Sequence, residues 1–88
     1  MKAVVTVTAK DAKGIIAKVS GKCFEYGANI IDISQTVIGE YFAMIMLIEM
    51  EEREKFGEAV DGLKKFGEEN GLAIQAMHED IFNSMHRI

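Results

Sequence analysis

The chain is predicted to fold as an α+β sandwich of order β-α-β-β-α-β, with two helices on one face of a four-stranded antiparallel sheet. Three observations carry that expectation. Four segments read as strands, by alternation of apolar and polar residues or by β-branched and apolar content, and apolar residues recur every three or four positions in two others. Glycines stand where those segments meet, as tight turns require.

Residues 2–9, KAVVTVTA, put Ala3, Val5, Val7 and Ala9 on one face and Lys2, Val4, Thr6 and Thr8 on the other, the signature of a strand. From Gly14 to Tyr26 the period lengthens: Ile16, Val19, Cys23 and Tyr26 form an apolar stripe, with Lys18, Lys22 and Glu25 outside it. Asp11 suits the N-cap of this helix and Gly27 the left-handed position beyond its end. Residues 29–38, NIIDISQTVI, are rich in β-branched side chains, and the turn Gly39-Glu40 leads into YFAMIMLIEM, 41–50, to complete a hairpin. Helical spacing returns at Phe56, Val60, Leu63 and Phe66, and Asn70-Gly71 closes that helix. LAIQAMH, 72–78, alternates again as a fourth strand.

This order is the split βαβ pattern of ferredoxin-like folds, and right-handed crossovers place both helices on one face of the sheet. The other face is then uncovered. In the 41–50 strand, Tyr41, Ala43, Ile45 and Leu47 point one way and Phe42, Met44, Met46, Ile48 and Met50 the other, so neither face is polar. A partner copy, or the tail at 80–88, is expected to cover the open face.

With 88 residues, 49% hydrophobic and 27% charged, the chain fits a single domain, 1–88, with its core in 1–79 and a tail at 80–88. A domain this small buries about 60% of its unfolded surface, so self-association would add stability. A net charge of -4 supplies no footprint for a nucleic-acid backbone, and no nucleic-acid partner is expected. The greasiest run stops at Glu49, short of a membrane span, and no signal-like segment follows Met1 and Lys2; a cytoplasmic protein without a membrane partner is expected.

Cys23 is the only cysteine and lies on an apolar stripe, which makes it a core residue rather than a reactive thiolate. Methionines 44, 46, 50 and 77 fall on strands and read as adaptable packing. His78, Glu79, Asp80 and His86 hold metal-type side chains, but the eight-residue histidine spacing matches no ligand pattern. The tail is instead expected to pack Ile81, Phe82, Met85 and Ile88 while its histidines make local hydrogen bonds. No nucleophile and base, acid-base pair or metal set assembles, so no enzyme activity and no cofactor are expected.

The segments DAKGIIAKVS after the first strand and GANIIDIS entering the second resemble those of ACT domains. The tail HEDIFNSMHRI with IDISQT is similar to small stand-alone ACT proteins, glycine-cleavage regulators and the N-terminal domain of formyltetrahydrofolate deformylases. The resemblance implies a regulatory module, association into a homodimer through strands or helices, and a small effector, commonly an amino acid, at a subunit interface. Carried over residue by residue, the effector site falls on Lys10, Asp11, Gly14 and Ile15 and on Asn29, Ile30, Ile31 and Asp32. Lys13 stands where the common pattern has proline. Physically, a glycine beside a helix N-terminus lets a carboxylate approach backbone N–H groups. Gly14 and Asn29 also suit ordinary turns, and Asp32, Ser34 and Thr36 share a strand face that solvent or an interface would equally explain. Two functions follow: a small-molecule sensor, or a protein-interaction regulatory subunit.

Overall fold

The structure, a computed structural model, describes residues 1–10 and 13–86. Its elements are β1 (Lys2–Ala9), α1 (Ile15–Glu25), β2 (Ala28–Ile38), β3 (Tyr41–Met50), α2 (Phe56–Asn70), β4 (Ala73–His78) and α3 (Glu79–Met85), with a 3₁₀ turn, Arg53–Lys55, before α2. The strands form one antiparallel sheet in the order β2-β3-β1-β4, so β2 and β4 are its edges. The ferredoxin-like βαββαβ order is the expected one.

Alternation along β3 decides the core. Phe42, Met44, Met46, Ile48 and Met50 are buried with Ala3, Val5 and Val7 of the neighbouring β1, under α1 and α2. Three of the four strand methionines are in that core, and Met77 is half-buried on the opposite face. The stripes that the helices turn inward differ from those expected. On α1 it is Ile15, Val19 and Cys23, spaced by four, that are buried, while Ile16 lies one position around the helix and is exposed. On α2 the buried residues are Ala59, Leu63 and Gly67, with Phe56, Val60 and Phe66 half-buried beside them.

Small residues sit there because the helices come close to their neighbours. A Cβ on Gly67 would come within 2.9 Å of Ile74 Cγ1 and still nearer to the Leu72 carbonyl oxygen. One on Gly62 would run into the Tyr26 hydroxyl, so Tyr26 at the end of α1 lies against the backbone of α2. Lys22 lies 5.6 Å from the Phe66 ring centroid at the same helix-helix seam, and its ion pair with Glu25, 3.2 Å away, holds its pKa above the ordinary value.

One cap also departs from expectation. Gly14, at φ 70°, occupies the N-cap of α1, and among the described residues no side chain caps that helix. The role expected of Asp11 is therefore filled by glycine; Asp11 itself lies outside the described residues. The C-terminal turn is as expected, with Gly27 at φ 75° and its N–H donating to the Phe24 carbonyl at 2.9 Å.

The C-terminal segment forms α3, which starts at Glu79 and packs on β1 and β4. Phe82 is half-buried, but Ile81 and Met85 are exposed, so the expected tail packing is only partly present in one chain; Ile88 lies outside the described residues. Both histidines make local bonds. His78 caps α3, its Nδ1 accepting from Asp80 N at 3.0 Å, and His86 Nδ1 lies 2.7 Å from the Phe82 carbonyl with its ring stacked on Phe82.

Candidate functional site

The expected site has two halves, and the fold holds them apart. Asn29 pairs with Glu49, which pairs with Lys2, so the start of β2 lies beside the start of β1. Ala9 pairs with Phe42, which pairs with Val37, so the loop toward Gly14 leaves from the opposite end of the sheet. The two rows are seven residue steps apart along β1, from Lys2 to Ala9, about 23 Å at the usual rise per residue. The separation is topological: β1 and β2 run parallel, and α1 carries the chain back between them.

At the first half, Gly14 has a left-handed backbone, φ 70° and ψ 5°, which by itself accounts for glycine at this position. A Cβ there would meet nothing closer than Lys18 Cε at 3.9 Å. Among the described residues the first turn of α1 has no side-chain cap and no acidic residue, so its N-terminal backbone N–H groups carry partial positive charge that no side chain of the helix itself opposes. Lys10 is exposed at the end of β1. Ile15 points into the core, which leaves only its backbone for a ligand. A hollow of about 120 Å³ beside Gly14 is lined by Lys13, Ile15, Lys18, Asn70 and Leu72. Lys18 was missed in the sequence, although it follows Gly14 by four residues and so stands one turn above it on the same helix face.

At the second half, Asn29 and Ile31 are exposed and Ile30 is half-buried against the core. The ladder is irregular between Ile30 and Asp32, so Ile31 has no partner on β3. Asp32 points to the open face, and its carboxylate accepts from the Ile33 N–H at 2.9 Å. Ser34 and Thr36 follow it on the same exposed face, as the alternation predicts.

Cys23 is wholly buried on α1, and burial pushes its thiol up to about 11 from 9.0. That is the reverse of a reactive thiolate, and it places Cys23 in the core as expected. No group of three or more metal-type side chains occurs among the described residues, and none of their helices is long and apolar enough to cross a membrane.

Comparison with known proteins assigns the arrangement. The ACT domain profile matches residues 2–77. A UPF0237 protein of Clostridium perfringens is 48% identical over 89 residues, covering 100% of both chains. An ACT domain protein from Streptococcus pneumoniae superimposes with a TM-score of 0.84 at 43% identity, covering 93% of each chain. A candidate glycine cleavage system transcriptional repressor matches with a TM-score of 0.76 at 25% identity, over 85% of this chain and 43% of that one. The fold recurs in a formyltetrahydrofolate deformylase of Pseudomonas putida, at a TM-score of 0.76 and 14% identity. The βαββαβ sandwich, the glycine-led start of α1 and matches that run nearly the length of the chain make this protein a member of the ACT-domain family, whose members are regulatory, ligand-binding modules.

Proposed function

We propose that this chain senses a small anionic or zwitterionic metabolite, most plainly an amino acid, at a site completed between two copies. The observation that carries the reading is the separation of the two half-sites within one chain, combined with the position of β2 as an exposed sheet edge. A sheet edge offers unpaired N–H and C=O groups to another strand. If two β2 edges pair antiparallel about a two-fold axis, the partner's strand runs in reverse. The start of one β2 then falls at the end of the other, the end of the molecule from which Gly14 opens α1.

The chemistry of the halves is complementary. The glycine-led N-terminus of α1 with Lys18 above it suits a carboxylate, and Asp32 with its neighbouring carbonyls suits an ammonium. Neither half has a nucleophile paired with a base, which supports binding rather than catalysis. The alternative, a protein-interaction regulatory subunit, is favoured by one observation: Phe24, on the outward side of α1, is 76% exposed.

The test is calorimetric titration with amino acids, followed by complementation. Gly14→Ala and Asp32→Ala should each abolish binding alone. Mixing the two variants, with subunit exchange, should restore it, because a mixed pair contains one intact composite site. Absence of binding by the wild type at millimolar ligand would refute the sensor. Binding that is lost in both variants and not restored by mixing would place the whole site within one chain.

A further inference from the structure

Charge is unevenly shared along the chain. Residues 1–25 hold five lysines against Asp11 and Glu25, a balance of +3, in a chain of net charge -4. Two of those lysines are on α1, whereas α2 beside it carries Glu58, Asp61, Glu68 and Glu69 against Lys64 and Lys65. The two helices run antiparallel: Lys22 lies by Phe66, and Tyr26, one turn on, lies against Gly62, one turn back. On their solvent side an open groove of about 570 Å³ has Lys18, Gly21, Lys22 and Glu25 on one wall and Phe66 and Asn70 on the other. Lys22 is paired with Glu25, and Lys18 makes no ion pair among the described residues.

Two residues here are not accounted for by the chain's own packing. Phe24, one turn beyond Gly21 on α1, is 76% exposed, more than any other large apolar side chain described. Gly21 is the seventh of the eleven residues of α1, in ordinary helical backbone, where only proline is a poorer choice. Gly62 and Gly67 of α2 are required by Tyr26 and by the Leu72–Ile74 segment, but a Cβ on Gly21 would meet nothing within 4 Å among the described residues. A glycine kept in such a place leaves the helix backbone open to close approach from outside.

We propose that this groove seats an acidic amphipathic helix of a partner protein. The proposal rests on the interaction reading above and names its partner. A groove between two helices takes a third lying along it, with apolar side chains set on Phe66 and Phe24 and its axis brought near by the missing side chain at Gly21. The backbone of α1 is bonded within its own helix and offers no unpaired edge to an extended strand. Acidic side chains along the incoming helix meet Lys18 and Lys22. Nucleic acid is disfavoured because its phosphates would also have to lie along the four acids of α2.

Selection from a displayed library of amphipathic helical peptides, about 20 residues long, against the full chain tests this, with affinities read by fluorescence anisotropy. The recovered peptides should be rich in Asp and Glu beside an apolar seam, and their binding should weaken with added salt. Gly21→Ala should melt at a higher temperature than the wild type and yet bind these peptides about tenfold more weakly, a pair of opposite effects that a merely structural glycine does not give. Lys22→Glu and Phe24→Ser should also weaken binding, while Ile45→Ala, on the open sheet face, should not. Peptides that bind the three α1 variants as well as the wild type overturn the groove and leave the interaction reading standing. Recovery of no helix, or of basic ones, overturns the proposal; if a library of unpatterned peptides also yields nothing, the interaction reading falls with it. A wild-type dimer in light scattering that Lys22→Glu and Phe24→Ser both dissociate would make a second copy the occupant and overturn it equally.

Discussion

The two faces of β3 differ little in chemistry and greatly in environment. One carries Phe42, Met44, Met46, Ile48 and Met50, all buried; the other carries Tyr41 and Ile45, both exposed, with Ala43 and Leu47 half-buried. Both sets are apolar, so the side chains do not decide which face becomes the core. The right-handed crossovers decide it, because they lay α1 and α2 on the same side and leave the other to α3 alone. What this teaches is that burial here is set by what the topology places on top of a strand.

Truncation on the two faces breaks or sustains that contrast most directly. Met46→Ala empties a fully buried position and should cost about 2–5 kcal/mol, measured by denaturant unfolding. Ile45→Ala, one residue away on the other face, should cost less than about 1 kcal/mol where the chain is monomeric. Equal losses at the two positions under those conditions would mean that the faces are not energetically distinct.

Cys23 extends the comparison to pH, since it is the titratable group sealed on the covered side. Below pH 9 the thiol is protonated in both the folded and unfolded states and has no effect. Above pH 9 the unfolded thiol ionises while the buried one stays neutral until about pH 11. Stability should therefore fall as pH rises through that window, by about 2–3 kcal/mol in total. Unfolding curves of wild type and Cys23→Ala on either side of the window check this: the variant should lack that share of the alkaline loss.

A finer contrast lies within α2. Alanine ordinarily stabilises a helix relative to glycine, yet Gly62→Ala and Gly67→Ala should each destabilise by about 1–3 kcal/mol, because their Cβ atoms meet Tyr26 and the Leu72–Ile74 segment. Gly57 has open space around it, and Gly57→Ala should stabilise by up to about 1 kcal/mol. Thermal melts of the three variants give the signs, and a stabilised Gly67→Ala would show that the helix stands off the sheet.

Strand boundaries were legible to within a residue because β-branched alternation and the turn glycines Gly27, Gly39 and Gly71 coincide. The stripe of α2 was not, since reading for bulk passes over Ala59 and Gly67, whose smallness is what lets the helix approach β4. Ile15 and Ile16 were exchanged on α1 for a related reason: two adjacent apolar residues start the helix, and only the spacing of four to Val19 and Cys23 separates them. The tail was harder still, because a helix of seven residues is too short for periodicity to show which side packs. The residues of the candidate site were named in the sequence, but not their separation, although the strand order that implies β1 and β2 run parallel also implies it.

The contact of Tyr26 with Gly62 reaches beyond this one sequence. A tyrosine that lies against a bare backbone ties two positions 36 apart in the chain into one unit of descent. A lineage that acquires a side chain at 62 must displace or shorten residue 26, so the two positions are coupled. Among homologous sequences the two columns should therefore change together. An enlarged residue at 62 would itself report that the end of α1 has moved away from α2.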